Sequence, residues 1–170
     1  RPAGDRPVLA LEHFMSALAP EGRRDMAWEI GDKGFNIVLS TYVPDVIAAN
    51  VERIVSDLLT PCGLETSNVQ LWAVHPGGRA ILDKVEQSLG LAPWQIQPSR
   101  DVLRDCGNMS SVTILFVLER MLAAAQAPAT VAAMAFGPGL VIECAMLDLI
   151  PATNPVESAS PEPELAELAV

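Results

Sequence analysis

Basic residues are scarce in this chain, and their scarcity excludes one large class of function. Eleven Lys and Arg stand against 21 Asp and Glu, for a net charge of -10. Nucleic-acid affinity comes mostly from cationic side chains neutralising phosphates, so a phosphate-backbone binder is excluded; a small anionic ligand held by a few local donors is not. Cysteine and histidine are also few. Cys62, Cys106 and Cys144 show no CxxC spacing and an odd count, which gives no disulfide framework, and two histidines add no zinc pattern. No apolar run approaches the roughly 20 residues of a membrane span. No repeat at a short fixed period is visible. Residues 1–7 read as a linker, with no apolar segment of a secretory signal behind them. The expectation is a soluble, cytoplasmic protein that binds neither nucleic acid nor membrane.

What is present is material for a core. Half of the 170 residues are hydrophobic and 19% are charged, which excludes a disordered chain and fits one domain, or one half of a larger one. Much of the acidity lies near the end, where Glu157, Glu162, Glu164 and Glu167 alternate with Pro, Ala and Ser. The division expected is a linker over 1–7, one domain over 8–150, and a flexible acidic tail over 151–170.

Apolar spacing predicts the elements. Residues 8–18 read as a strand, 26–30 and 35–40 as a hairpin across Gly31-Asp32-Lys33-Gly34, and these three strands as a meander. A helix opens at Val43-Pro44-Asp45, with Val46, Ile47, Val51, Ile54, Val55, Leu58 and Leu59 on one face. A strand over 69–74 and a helix over 79–89 follow. Another helix is expected from Pro98, with Ser99 as its N-cap. The next, over 109–125, is apolar nearly all round and so expected to be buried at the centre of the fold. Strands over 130–136 and 140–149 flank the turn Gly137-Pro138-Gly139. The order β-β-β-α-β-α-α-α-β-β indicates an α/β fold with a mixed sheet.

Two stretches carry chemistry. A buried strand stops at His75, and Pro76-Gly77-Gly78 then turns into a helix, so the imidazole sits at the carboxyl edge of a sheet, where α/β proteins collect ligands. Downstream, Gly107-Asn108-Met109-Ser110-Ser111 enters the apolar helix. Asn108 there serves as a cap or as a donor. Together with His75 it offers two neutral donors able to converge on one oxygen, as an enolate or oxyanion requires.

His75-Pro76-Gly77-Gly78, Gly107-Asn108-Met109-Ser110-Ser111 and Phe136-Gly137-Pro138-Gly139, in this order and at these separations, resemble the carboxyl-terminal half of the type III polyketide synthases. This is the chalcone and stilbene synthase family of the thiolase superfamily. Residues 26–40, with Gly31-Asp32-Lys33-Gly34-Phe35, are similar to its bacterial members. The resemblance runs from about residue 8 to 149. It implies a thiolase-like half: a mixed sheet layered with helices and one buried central helix.

The resemblance also implies an acyltransferase that joins a starter acyl-CoA to malonyl-CoA by decarboxylative Claisen condensation on a Cys-His-Asn triad. His75 and Asn108 take the last two roles. The nucleophilic cysteine belongs to the amino-terminal half, outside these residues, so the chain alone is expected to be inactive. CoA is the carrier, no metal or organic cofactor is implied, and the complete enzyme is expected to be a homodimer. Trp28, Phe35, Ile37 and Ser110 match positions lining the elongation cavity. Gly77, Gly78 and Ala80 match backbone beside the pantetheine arm, and Phe136, Gly137 and Pro138 match a wall of the cavity. The chain's own three cysteines read as small buried hydrophobes.

Two other readings stand beside this one. A ketoacyl-carrier-protein synthase also uses Cys, His and Asn, but commonly has Gln-Ala-Asn after the histidine and Thr-Ser after the asparagine, where this chain has Pro76-Gly77-Gly78 and Met109-Ser110. A non-catalytic binding or assembly half is the third.

Overall fold

A computed structural model describes residues 4–153. The tail expected over 151–170 therefore lies almost wholly outside the described residues, as do the first three residues of the linker. The elements are β1 (Val8–Leu18), β2 (Met26–Gly31), β3 (Gly34–Leu39), α1 (Val43–Leu59), β4 (Leu71–Val74), α2 (Arg79–Leu89), α3 (Pro93–Cys106), α4 (Thr113–Ala123), β5 (Ala129–Gly137) and β6 (Val141–Ile150). Their order is the one the spacing predicts.

Four strands form one sheet in the order β1-β6-β5-β4, with β2 and β3 in a separate two-stranded ribbon. β4 runs parallel to β5, and the other pairs are antiparallel, which makes the sheet mixed. The expected three-strand meander is not formed. β1 pairs along β6, from Val8 opposite Ile150 to Leu18 opposite Val141, with one irregularity between Leu11 and His13. Eleven residues of β1 match the ten of β6. That long non-local ladder supplies more paired backbone than β2, six residues already closed on β3 by a two-residue turn.

Two cores lie on opposite faces of this sheet. Ile47, Ile54 and Leu58 of α1 and Leu82 of α2 pack on Trp72, Met134, Ile142 and Met146. On the other side Val102 of α3 and Val117 and Met121 of α4 meet Ala73, Val131, Leu147 and Leu149. Alternation along β4 and β5 feeds both cores, as strands covered on two faces require. Helix α1 buries the seven residues Val43, Ile47, Val51, Ile54, Val55, Leu58 and Leu59. Helix α2 ends at Gly90, whose left-handed φ of 61° lets its N–H reach the Gln87 carbonyl.

Helix α3 departs from expectation. It starts at Pro93, five residues before Pro98, and Gln95 Oε1 accepts the Ala92 N–H at 2.9 Å. Proline costs nothing in a first turn, so Pro93 opens the helix and Pro98 lies inside it. Ser99 is accordingly not an N-cap. It is fully buried against the outer edge of β4. Helix α4 also differs. A short 3-10 turn, Ser110–Val112, precedes it, and it buries Thr113, Val117 and Met121 on one face only. Leu115 is 59% exposed and Phe116 39%, because no element among the described residues covers that side. No helix among the described residues is long and apolar enough to cross a membrane.

Candidate active site

The carboxyl ends of the parallel strands β4 and β5 lie side by side, and His75 is the first residue beyond β4. Its N–H donates to the Met134 carbonyl at 2.7 Å, extending the ladder by one step. The next N–H back along β4, that of Val74, points away from β5 and donates to Ser99 Oγ at 3.0 Å. One helical turn earlier, Gln95 Nε2 donates to the Val69 carbonyl at 3.0 Å. Helix α3 thus closes the free edge of β4 with two side chains and fixes the backbone that carries the imidazole.

The His75 ring is half-buried, and burial lowers its pKa below the usual histidine value of 6.5. At neutral pH it is therefore an uncharged imidazole with one N–H donor and one acceptor nitrogen. Its Gly77 N–H to His75 carbonyl bond of 2.9 Å makes the turn after the strand tight. A Cβ placed on Gly77 would stand 3.7 Å from the imidazole Cδ2 and 4.0 Å from Nε2, so that edge of the ring lies along Gly77.

Asn108 reaches the same residue. Its Nδ2 donates to the Gly77 carbonyl at 3.2 Å, and its Oδ1 accepts the Ser110 N–H at 2.9 Å. The carboxamide is thereby oriented with its donor end toward the histidine turn, leaving one N–H of the amide for a ligand. The imidazole edge and the carboxamide both lie beside Gly77. The loop holding Asn108 is unusual in its backbone. Gly107 has φ 71° and ψ −167°, and Ser110, a non-glycine residue, has a positive φ of 64°. Thr113 Oγ1 accepts the Met109 N–H and donates to the Ser110 carbonyl, both at 2.8 Å, which holds that strained turn shut. Just before the loop, Asp105 pairs with Arg104 and Arg120, which together hold its carboxyl below the usual range and tie the end of α3 to α4.

The remaining expected residues fall into three groups. Phe136 and Gly137 end β5, two and three residues beyond Met134, and Pro138 forms the exposed turn after them. Trp28, Phe35 and Ile37 share one face of the β2–β3 ribbon with Ile30 and Leu39, and all five are more than half exposed. Trp28 and Phe35 meet edge to face with ring centroids 6.3 Å apart. The Gly139 N–H donates to the Met26 carbonyl at 2.7 Å, so the ribbon hangs from the same turn as Phe136. Ala80 is exposed in the first turn of α2. Gly78 is fully extended at φ 178°, a conformation open to any residue, while a Cβ on Gly77 would press to 2.9 Å on the tip of Ile81. Neither glycine is demanded by backbone strain. Ser99 and Thr113, which anchor the two site residues, carry no mark in the sequence that sets them apart from caps or surface hydroxyls.

The cysteines are not uniformly buried as expected. Cys144 is buried in β6, and burial, with Glu143 next to it, pushes its thiol up to about 12. Cys62 is half-buried, its sulfur 3.8 Å from the Leu58 carbonyl. Cys106 is exposed, because it closes the last turn of α3 on the outer side. A maleimide at pH 7 is expected to modify Cys106 quickly and to spare Cys144 until the chain unfolds. Equal labelling rates for the two, measured by mass spectrometry on the native chain, would contradict this arrangement.

Residues 10–151 match the C-terminal domain of the chalcone and stilbene synthases. Solved structures agree with that match. PKS-I from the brown alga Ectocarpus siliculosus is 31% identical with a TM-score of 0.77, over 88% of this chain and 41% of that one. The C-terminal type III polyketide synthase domain of Steely1, a type I/III hybrid from Dictyostelium, is 29% identical with a TM-score of 0.78, over 88% and 43%. A type III pentaketide synthase from Neurospora crassa is 29% identical with a TM-score of 0.73, over 82% and 41%. The chain thus spans about two fifths of the length of these enzymes, and its mixed sheet with layered helices is the thiolase-like fold they share. With strand-end histidine, helix-entry asparagine and the turn after β5 gathered at one end of that fold, the chain belongs to the chalcone and stilbene synthase family, as its C-terminal domain.

Proposed function

We propose that this chain is the half of a type III polyketide synthase that polarises the extender thioester. The observation that carries the reading is the placement of His75 and Asn108 beside the same residue, Gly77, one from a strand end and one from a helix entrance. Both groups are neutral donors, and neutral donors stabilise a developing enolate oxygen without first surrendering a strong ion pair.

In this reading a cysteine thiolate from the amino-terminal half attacks the carbonyl of the starter acyl-CoA, and CoA leaves as its thiolate. The His75 imidazole, uncharged at neutral pH, accepts the thiol proton and passes it to the departing CoA sulfur, so it is neutral again when the extender binds. The malonyl thioester carbonyl then lies against His75 and Asn108. Its carboxylate leaves as carbon dioxide, and the electron pair of the broken C–C bond moves into the enolate held by those two donors. The enolate carbon attacks the acyl thioester, a C–C bond forms, and the cysteine sulfur departs. Trp28, Phe35 and Ile37 give the growing chain an apolar wall, and the bulk of Trp28 shortens the cavity. Gly77, Gly78 and Ala80 flank the pantetheine arm, with Ser110, Phe136, Gly137 and Pro138 completing the wall. CoA thioesters are the substrates in this scheme, and no further cofactor is assigned.

The uncovered apolar surface supports a missing partner half. Leu115 and Phe116 of α4 are exposed, and Ile114 before them lines a groove of about 380 Å³ together with Phe14, Ala133 and Ala145. Surface of that kind on a chain two fifths the length of its relatives is what the rest of such an enzyme would bury. Homodimerisation of the complete enzyme, a cytoplasmic setting and the likeness of 26–40 to bacterial members rest on the family resemblance alone.

The test is complementation. The purified chain is mixed with an amino-terminal half of the family that carries the cysteine, and CoA release from malonyl-CoA and a starter acyl-CoA is followed. Release from the mixture and from neither part alone is expected. Turnover by the 170-residue chain by itself would refute the assignment. Turnover only with malonyl carried on a carrier protein would move it to the ketoacyl synthase class.

A further inference from the structure

Among the described residues, two polar side chains are fully buried, Ser99 and Thr113. They lie in two successive helices, α3 and α4, and each is spent on backbone beside one of the two proposed polarising residues. We infer that Ser99 and Thr113 are positioning residues: Ser99 sets the direction in which His75 leaves β4, and Thr113 sets the turn that presents Asn108. The inference rests on reading His75 and Asn108 as the polarising pair.

The chemistry of the two hydroxyls explains why neither is replaceable by an apolar side chain of similar size. β4 is the edge of its sheet, so the Val74 N–H has no strand to meet. Ser99 Oγ accepts it at 3.0 Å inside the protein, where an unmet N–H would be costly. Without that acceptor the last residue of the strand has reason to rotate toward water, and His75 rotates with it. Thr113 uses both capacities of its hydroxyl. It accepts the Met109 N–H and donates to the Ser110 carbonyl. Those two bonds span Ser110, held at φ 64°, a conformation that a residue with a side chain keeps only under external constraint. Asn108 Oδ1 accepts the Ser110 N–H, so the carboxamide orientation depends on the same turn. The salt bridges nearby, between Asp105 and Arg104 or Arg120, lie at the surface and are exposed to screening. The buried hydroxyls are not.

The experiment is done on the 170-residue chain by NMR, with Ser99→Ala, Thr113→Val and Thr113→Ser. The carbon-bound ring protons of His75, the carboxamide N–H signals of Asn108 and the hydrogen exchange of the Val74 amide are read, with urea unfolding as the control for intact fold. Ser99→Ala is expected to shift the His75 ring signals and to speed Val74 exchange on the order of tenfold, leaving Asn108 in place. Thr113→Val is expected to shift or broaden the Asn108 signals and leave Val74 alone, and Thr113→Ser, which keeps the hydroxyl, restores them. A general loss of stability would move both sets together. Unmoved His75 and Asn108 signals in folded variants overturn the inference, as does Thr113→Ser behaving like Thr113→Val. Should Thr113→Val not fold, the Ser99→Ala and Thr113→Ser readings decide. The functional reading fails separately, if His75→Ala and Asn108→Ala leave condensation by the complemented enzyme unchanged.

Discussion

Replacing His75 by alanine in the complemented enzyme is expected to slow malonyl-CoA decarboxylation about 10²–10³-fold, equivalent to roughly 3–4 kcal/mol of transition-state stabilisation. The loss should fall on kcat and leave KM nearly as it was. A ground-state thioester carbonyl is a weak acceptor, whereas the enolate oxygen bears developed charge, so the imidazole N–H acts mostly after the C–C bond begins to break. Asn108→Ala is expected to lose a similar factor. The double variant should lose less than the product of the two, because both donors serve one oxygen. A His75→Ala enzyme with wild-type kcat would remove the imidazole from the chemistry, whatever its place in the fold.

Gly107→Ala should be the most damaging small change in the candidate site. At φ 71° and ψ −167° the residue occupies a region essentially reserved for glycine. No neighbouring atom lies within 4 Å of where the new Cβ would go, so the penalty arises within the residue's own backbone. A cost of roughly 1–3 kcal/mol is expected, read as a fall in melting temperature of about 3–10 °C for a chain of this size. The change also reaches Asn108, the next residue. If the loop relaxes to a conformation alanine tolerates, the bond from Nδ2 to the Gly77 carbonyl breaks, and complementation activity falls with it. An unchanged melting temperature would show that the loop does not hold the backbone described above.

How much of this was legible beforehand depends on whether local pattern or distant pairing decides. Helix α1 and helix α2 follow directly from apolar spacing, with Pro44 in the first turn of α1, and each is legible to within a few residues. The pairing of β1 was not. Its partner lies more than a hundred residues away, and adjacency in sequence favoured β2. Pro93 and Pro98 compete as helix openers, and only the packing of Ser99 under β4 settles the matter. The buried-helix expectation for α4 assumes that an apolar helix is covered on every side, and among the described residues Leu115 and Phe116 stay uncovered. His75 and Asn108 were visible as residue types at a strand end and a helix entrance. Gly77 and Ser110 stand in the same motifs, but the bond from Asn108 to the Gly77 carbonyl and the positive φ of Ser110 are three-dimensional geometry that residue types do not announce.

β1 forms one border of its sheet over eleven residues, with Leu11, Phe14 and Leu18 each more than 60% exposed. A long border strand with apolar side chains offers a ready template to any passing strand, including that of a second copy. The slip between Leu11 and His13 interrupts the template but leaves six residues beyond it in register. Handling the chain in isolation is therefore a contest between folding and sticking, and a lysine in place of Phe14 is the change that tilts it toward solubility.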